Sequence, residues 1–170
     1  VPMNLLADGE TAGYVNSGTW GKKAIGDACR VADVYEAWTD PAGTFDRMPT
    51  ADEIEVRDGA RYVHLTSNET IGGIRFPEIP TFDVPLVTDM SSDFLSRPID
   101  WDAHDLVYGG AQKNLGPAGL AVVAVRKDRL STHGRTLASY LDYATHESND
   151  SMANTPPMFA IYVMGKVLRW

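Results

Sequence analysis

Two residues carry the clearest chemical potential. Lys113 stands in the glycine-rich stretch GGAQKNLGPAG, between the apolar runs DLVYGG and GLAVVAVR, and Asp89 closes the short apolar run LVTDM. A lysine amine withdrawn from water loses its proton more readily and becomes a nucleophile able to form a Schiff base. A carboxylate facing the nitrogen of a pyridine ring keeps that nitrogen protonated and turns the ring into an electron sink. Lysine and carboxylate together are the minimal pair for pyridoxal phosphate chemistry. The plainer reading is a solvated turn lysine and an aspartate that caps the following segment through Ser91 or Ser92.

The segments that must position this pair alternate between short β-rich runs and helical or loop stretches. AGYVNSG (Ala12 to Gly18) predicts a strand, TWGKKAIGDACRV a helix with Thr19 as N-cap, and ADVYEAW (Ala32 to Trp38) the next strand. ADEIEV predicts a short helical piece, and RYVHLTSNET a strand running into a polar turn. FPEIPTFDVP holds three prolines and is no central strand. LVTDM and DLVYGG suit buried strands, GLAVVAVR is the strongest strand, TLASYLDYATHE is helical or irregular, and TPPMFAIYVMGKVLRW predicts a helix with Pro156 in its first turn. The 16 residues from Met90 to Asp105 are enough for a crossover between parallel strands, whereas the short turn after Lys113 suits an antiparallel neighbour. The expected fold is therefore α/β, with a mixed, mostly parallel sheet flanked by helices.

Ligands of open α/β sheets bind beyond the carboxyl ends of the parallel strands. Those ends carry Thr66, Ser67, Asn68, Glu69 and Thr70; then Asp89, Ser91 and Ser92; then Gln112 and Lys113. If the three runs are parallel neighbours, a hydroxyl, a carboxylate and an amine meet along one edge.

The chain has 170 residues, 44% of them hydrophobic and 22% charged, which suits a globular domain with a core. Its net charge of -8 argues against a nucleic-acid partner, since phosphate backbones demand a basic surface. One cysteine, Cys29, permits no internal disulfide and points to a reducing, cytoplasmic setting. No apolar run approaches the ~18 residues of a membrane span. No metal site is expected, because His104, His133 and His146 lack metal-ligand spacing.

TSNETIGGIRF, DMSSDFLSRPID, YGGAQKNLGPAGLAVV and SMANTPPMFAIY, with SGTWGKKA matching more loosely, resemble successive signature segments of the phosphoserine aminotransferase family, in that family's order. The resemblance implies the large, cofactor-binding domain of a fold-type I, class V aminotransferase over residues 1–170, truncated at both ends and not expected to be active by itself. It implies transamination between L-glutamate and 3-phosphohydroxypyruvate, giving O-phospho-L-serine and 2-oxoglutarate in serine biosynthesis, with pyridoxal 5'-phosphate as cofactor. Lys113 then carries the cofactor covalently and serves as the proton-transfer base. Asp89 pairs with the pyridinium nitrogen, Trp20 stacks on the ring, Thr70 hydrogen-bonds its phenolic oxygen and Gln112 helps to bind its phosphate. Asn154 and Thr155 reach the phosphate of the partner subunit's cofactor, so the active site is shared across a homodimer. The family's upstream glycine-rich segment and its further basic substrate-binding residues are not in this chain.

Each of these residues has a plainer reading. Trp20 suits core or interface packing, Thr70 and Gln112 suit ordinary turns, and Thr155 before Pro156 suits a helix start. His64 lies in an apolar run as a core histidine, Lys22 and Lys23 lie on a solvated face, and Arg97 is either a phosphate ligand or a structural ion pair. Two alternatives compete with the implied reaction. One is another pyridoxal-phosphate enzyme of the same fold, an aminotransferase, desulfurase or decarboxylase, although Cys29 sits in a predicted helix rather than on a loop. The other is a non-catalytic nucleotide-binding module, but the glycines near Lys113 precede a strand and not the helix that a phosphate loop requires.

Overall fold

The computed structural model describes residues 1–130 and 134–170. In chain order it holds α1 (Pro2–Leu5), β1 (Thr11–Asn16), α2 (Thr19–Ala28), β2 (Asp33–Thr39), β3 (Val63–Thr66), β4 (Asn68–Glu69), β5 (Ile74–Arg75), β6 (Leu86–Asp89), β7 (Leu106–Gly110), β8 (Ala121–Val125), α3 (Tyr143–Ser148) and α4 (Met158–Val167). The main sheet has six strands in the order β2-β1-β3-β6-β7-β8. Every neighbouring pair is parallel except β7 with β8, so the mixed, mostly parallel α/β sheet expected from the sequence is the one that forms.

The short turn after Lys113 closes the antiparallel pair, with Gly110 opposite Ala121. The central strands are apolar because both faces of a parallel sheet are covered. On one face Val15, Val63, Leu65 and Leu86 pack with Trp38, Met48, Ile54 and Phe76. On the other, Ala12, Tyr14, Val87 and Leu106 pack against Ala28 of α2 and against Leu5 and Leu6. Gly21 has no room for a side chain, since a Cβ there would lie 2.7 Å from the Val15 carbonyl oxygen. That close approach seats the first turn of α2 on the end of β1.

Several segments depart from the sequence pattern. The turn expected after β3 is a small antiparallel hairpin, β4 with β5. ADEIEV gives only one 3-10 turn, Ala51–Glu53. The crossover between β6 and β7 contains a 3-10 turn, Trp101–Ala103, and no α-helix. TLASYLDYATHE splits into a 3-10 turn, Ser139–Leu141, and α3. α4 starts after Pro157, not around Pro156, because the residue before a proline avoids helical backbone angles. Thr19 does not cap α2; Gly18 occupies the cap position, and the capping acceptor comes from a distant strand. His133 lies outside the described residues.

His64 is a buried core histidine, as the apolar run around it suggests. Burial pushes its imidazole down to about 3, so the folded protein keeps it neutral. The unfolded chain takes up that proton near pH 6.5, so the folded state binds fewer protons below that value. The stability conferred by neutral His64 is thus present above about pH 6.5 and drains away as pH falls toward 3, at about 1.4 kcal/mol per pH unit. Urea unfolding of the cofactor-free protein at pH 7.5, 5.5 and 4.5 should show the wild type losing ground at that rate against His64→Gln, which does not titrate. A pH-independent difference between the two would contradict this assignment.

Candidate active site

Parallel register brings the expected strand ends together. Thr66 lies opposite Asp89, and Asp89 opposite Tyr108, so β3, β6 and β7 end side by side. Asp89 is held by the turn that follows it: the Ser91 backbone N–H and hydroxyl both donate to Oδ1, at 2.8 and 2.6 Å. The Gly110 N–H donates in turn to the Ser91 hydroxyl at 3.1 Å. Gly109 leaves room for this contact, because a Cβ there would stand 3.1 Å from Ser91 Cα. The capping role and the site role of Asp89 are therefore compatible, since Ser91 engages one of its two oxygens.

Trp20, Thr70 and Lys113 meet at the same edge from three elements. The Trp20 indole N–H donates to Thr70 Oγ1 at 3.0 Å, the Lys113 ammonium donates to the same oxygen at 3.3 Å, and Lys113 Nζ stands 4.6 Å from the Trp20 ring centroid. Lys113 and Thr70 are exposed, so the amine stands at an open edge over an aromatic face and is not sunk in an apolar interior. Lys23 approaches the same ring at 4.7 Å but makes no hydrogen bond to Thr70. Gln112 is exposed, with its amide folded over Gly110. Asn154 and Thr155 are exposed on the segment before α4 and meet none of these residues.

The residue that fixes Trp20 was not visible as such in the sequence. Glu69, wholly buried, accepts the Trp20 N–H at 3.0 Å through Oε2. Through Oε1 it accepts the Gly21 N–H at 2.7 Å and the Ser17 hydroxyl at 3.4 Å. A carboxylate set against the first N–H groups of a helix satisfies orphan donors and complements the helix dipole. Glu69 thereby anchors the first turn of α2, and Trp20 with it. Its signal was slight: an acidic residue beside Thr70 in a segment that looked like a solvated turn.

Other candidates are structural. Arg97 donates to the carbonyls of Pro77 and Phe76 at 2.6 and 2.9 Å and lies 3.9 Å from Asp93, so it ties two loops together. Cys29 is exposed at the C-terminal cap of α2, about 13 Å along the helix from Trp20. Among the described residues, no group of three or more His, Cys, Asp or Glu is placed to hold a metal ion, and no helix is long and apolar enough to cross a membrane.

A lysine, an aspartate, an aromatic face and a hydroxyl thus gather at the carboxyl edge of the sheet. Residues 1–170 match the family described as aminotransferase class-V. The chain belongs to the class-V aminotransferases. Phosphoserine aminotransferase of Dichelobacter nodosus is 49% identical over 168 residues, covering 99% of this chain and 47% of that protein. The solved phosphoserine aminotransferase of Bacillus circulans subsp. alkalophilus superposes with a TM-score of 0.94 at 48% identity, covering 99% of this chain and 47% of that one. The PLP-bound phosphoserine aminotransferase of Trichomonas vaginalis superposes with a TM-score of 0.86 at 36% identity, over 99% of this chain and 51% of that one. This class-V chain spans about half the length of the curated relatives it matches.

Proposed function

We propose that this chain is the cofactor-binding part of a pyridoxal-phosphate-dependent phosphoserine aminotransferase, which moves an amino group between L-glutamate and 3-phosphohydroxypyruvate. The observation that carries this reading is the meeting of Trp20, Thr70 and Lys113 at the strand edge that also bears Asp89. The residues fit the cofactor. The indole of Trp20 offers a flat face, the Thr70 hydroxyl a hydrogen-bonding group, and Asp89 a carboxylate only partly engaged by Ser91. When bound, pyridoxal phosphate supplies an electron sink for charge that develops at the substrate's Cα.

Lys113 would hold the cofactor through its amine and, once displaced by substrate, move the proton at Cα. Thr70 steers the amine, because its Oγ1 accepts from Lys113 and from Trp20 together. Asp89 would hold a proton on the ring nitrogen, and Gln112 would contribute to the phosphate site. Asn154 and Thr155 would reach the cofactor phosphate of a partner subunit in a cytoplasmic homodimer. Exposed Met152, Met158 and Phe159 beside them support a covered surface there. The names of the relatives, each matched over nearly the whole of this chain, favour the phosphoserine substrate within the class.

The test is an amino-donor comparison with the full-length holoenzyme. O-phospho-L-serine with 2-oxoglutarate should turn over at least ~100-fold faster than L-alanine or L-cysteine, as a site built for a charged group rejects analogues that lack it. Preference for alanine, or sulfur release from cysteine, would replace phosphoserine chemistry by another reaction of the same cofactor.

A further inference from the structure

Behind Asp89 runs a polar row, half-buried at Tyr108 and buried at His64, that the reaction does not use. Tyr108 lies opposite Asp89 in the β6–β7 register, so the two side chains share a sheet face. His64 shares that face too, because it pairs with Val87, two residues before Asp89. Its Nε2 lies 2.9 Å from the Tyr108 hydroxyl, and its ring stacks on Tyr14 at 4.5 Å between centroids.

The direction of these hydrogen bonds follows from satisfaction. His64 Nδ1 is buried and has no partner among the described residues. An orphaned buried N–H is rarer than an under-used acceptor, so the single proton of the neutral ring belongs on Nε2. Nε2–H then donates to the Tyr108 oxygen. The Tyr108 O–H, no longer needed by His64, is then available to the Asp89 carboxylate on the same sheet face.

We infer that Tyr108 and His64 are positioning residues for Asp89, forming a one-way hydrogen-bonded chain from His64 Nε2–H through the Tyr108 hydroxyl to the carboxylate. Burial first, and then the Asp89 charge and its hydrogen bond, hold the Tyr108 phenol protonated well above its ordinary range, as a donor must be. The other titratable groups facing the row are Tyr14, Tyr62 and Tyr143, which burial holds neutral. None supplies a fixed charge that could replace the chain. Ser91 fixes Asp89 from the solvent-side turn, while Tyr108 fixes it from within the sheet. The inference rests on the proposed role of Asp89 as partner of the cofactor's ring nitrogen.

Two measurements on the full-length protein test it. In cofactor-free, 15N-histidine-labelled protein, His64 should show the neutral Nε2–H tautomer from pH 8 down to pH 5. The Nδ1–H tautomer, or a charged ring, would overturn the chain by itself. With pyridoxal phosphate as the titrant, Tyr108→Phe should raise the dissociation constant ~10-fold, the worth of one hydrogen bond to a charged group. His64→Phe should follow it, whereas His64→Gln, whose amide can donate from the Nε2 position, should stay near wild type. A merely structural histidine would make the two His64 variants alike, and that result, or an unchanged constant in a stably folded Tyr108→Phe, would reject the inference. Wild-type protein that takes up no pyridoxal phosphate would instead reject the underlying cofactor assignment, while the tautomer measurement still decides the hydrogen-bonded row.

Discussion

Lys113→Ala in the full-length protein should retain no pyridoxyl label after borohydride reduction, and transamination should fall by at least the ~10²–10⁴-fold that a positioned proton-transfer group contributes. Proximity to Trp20 alone does not select this lysine, because Lys113 and Lys23 stand 4.6 and 4.7 Å from the same ring. Selection comes from the surroundings. Lys113 projects from a turn whose flanks, Ala111 and Leu115, are buried, and its amine is hydrogen-bonded to Thr70 at 3.3 Å. Lys23 lies on an exposed helix position with no such partner at the site. Peptide mapping of reduced wild type should place the label on Lys113, and Lys23→Ala should keep it. Because Lys113 is exposed, its removal should leave the unfolding midpoint of the cofactor-free protein almost unchanged, which separates loss of chemistry from loss of fold. Label on Lys23 would reverse the assignment.

The part of this site legible in the sequence is the part that strand direction dictates. LVTDM and DLVYGG are apolar, bounded by turn residues and separated by a connection of crossover length, so parallel pairing and a shared carboxyl edge follow. That placed Asp89 beside the end of β3 and predicted the antiparallel β8 from the short turn after Lys113. The contacts that fix side chains were not legible, because they join residues far apart through the order of the strands. Tyr108 reaches His64 across β6, a relation visible only once the order β3-β6-β7 is known. Thr19 looked like the cap of α2 because local capping is the usual solution, yet the acceptor comes from Glu69, some 50 residues on in the chain. Glu69 stood in a polar turn at the end of a strand, with nothing in its neighbours to mark it as buried. The β4–β5 hairpin is what turns it inward beneath α2. Asn154 and Thr155 were expected to act on a partner subunit, and within one chain they have no counterpart at the site.

Glu69→Gln should be the most damaging conservative substitution near the site, lowering stability by roughly 3 kcal/mol or more. Both carboxylate oxygens are already committed: Oε2 to the Trp20 N–H, and Oε1 to the Gly21 N–H and the Ser17 hydroxyl. An amide has one acceptor oxygen, so either orientation of glutamine sets its NH₂ against a backbone donor and leaves that donor unsatisfied in a buried place. The negative charge facing the start of α2 is lost as well. The first turn of α2 has little room to shift, because Gly21 sits so close to β1 that a Cβ there would lie 2.7 Å from the Val15 carbonyl oxygen. Urea unfolding should be followed without pyridoxal phosphate, because bound cofactor would add its own stabilisation by mass action and mask the difference. The same variant should bind the cofactor more weakly, since Trp20 loses the backbone anchor that holds its indole N–H on Thr70. Trp20→Phe supplies the control: it keeps both backbone bonds to Glu69 and removes the indole N–H together with part of the aromatic face, so cofactor affinity should fall while most of the stability remains. Equal stability in Glu69→Gln and wild type would mean that the carboxylate does not anchor α2, and the order of the strand edge would then have to come from Thr70 and Lys113 alone.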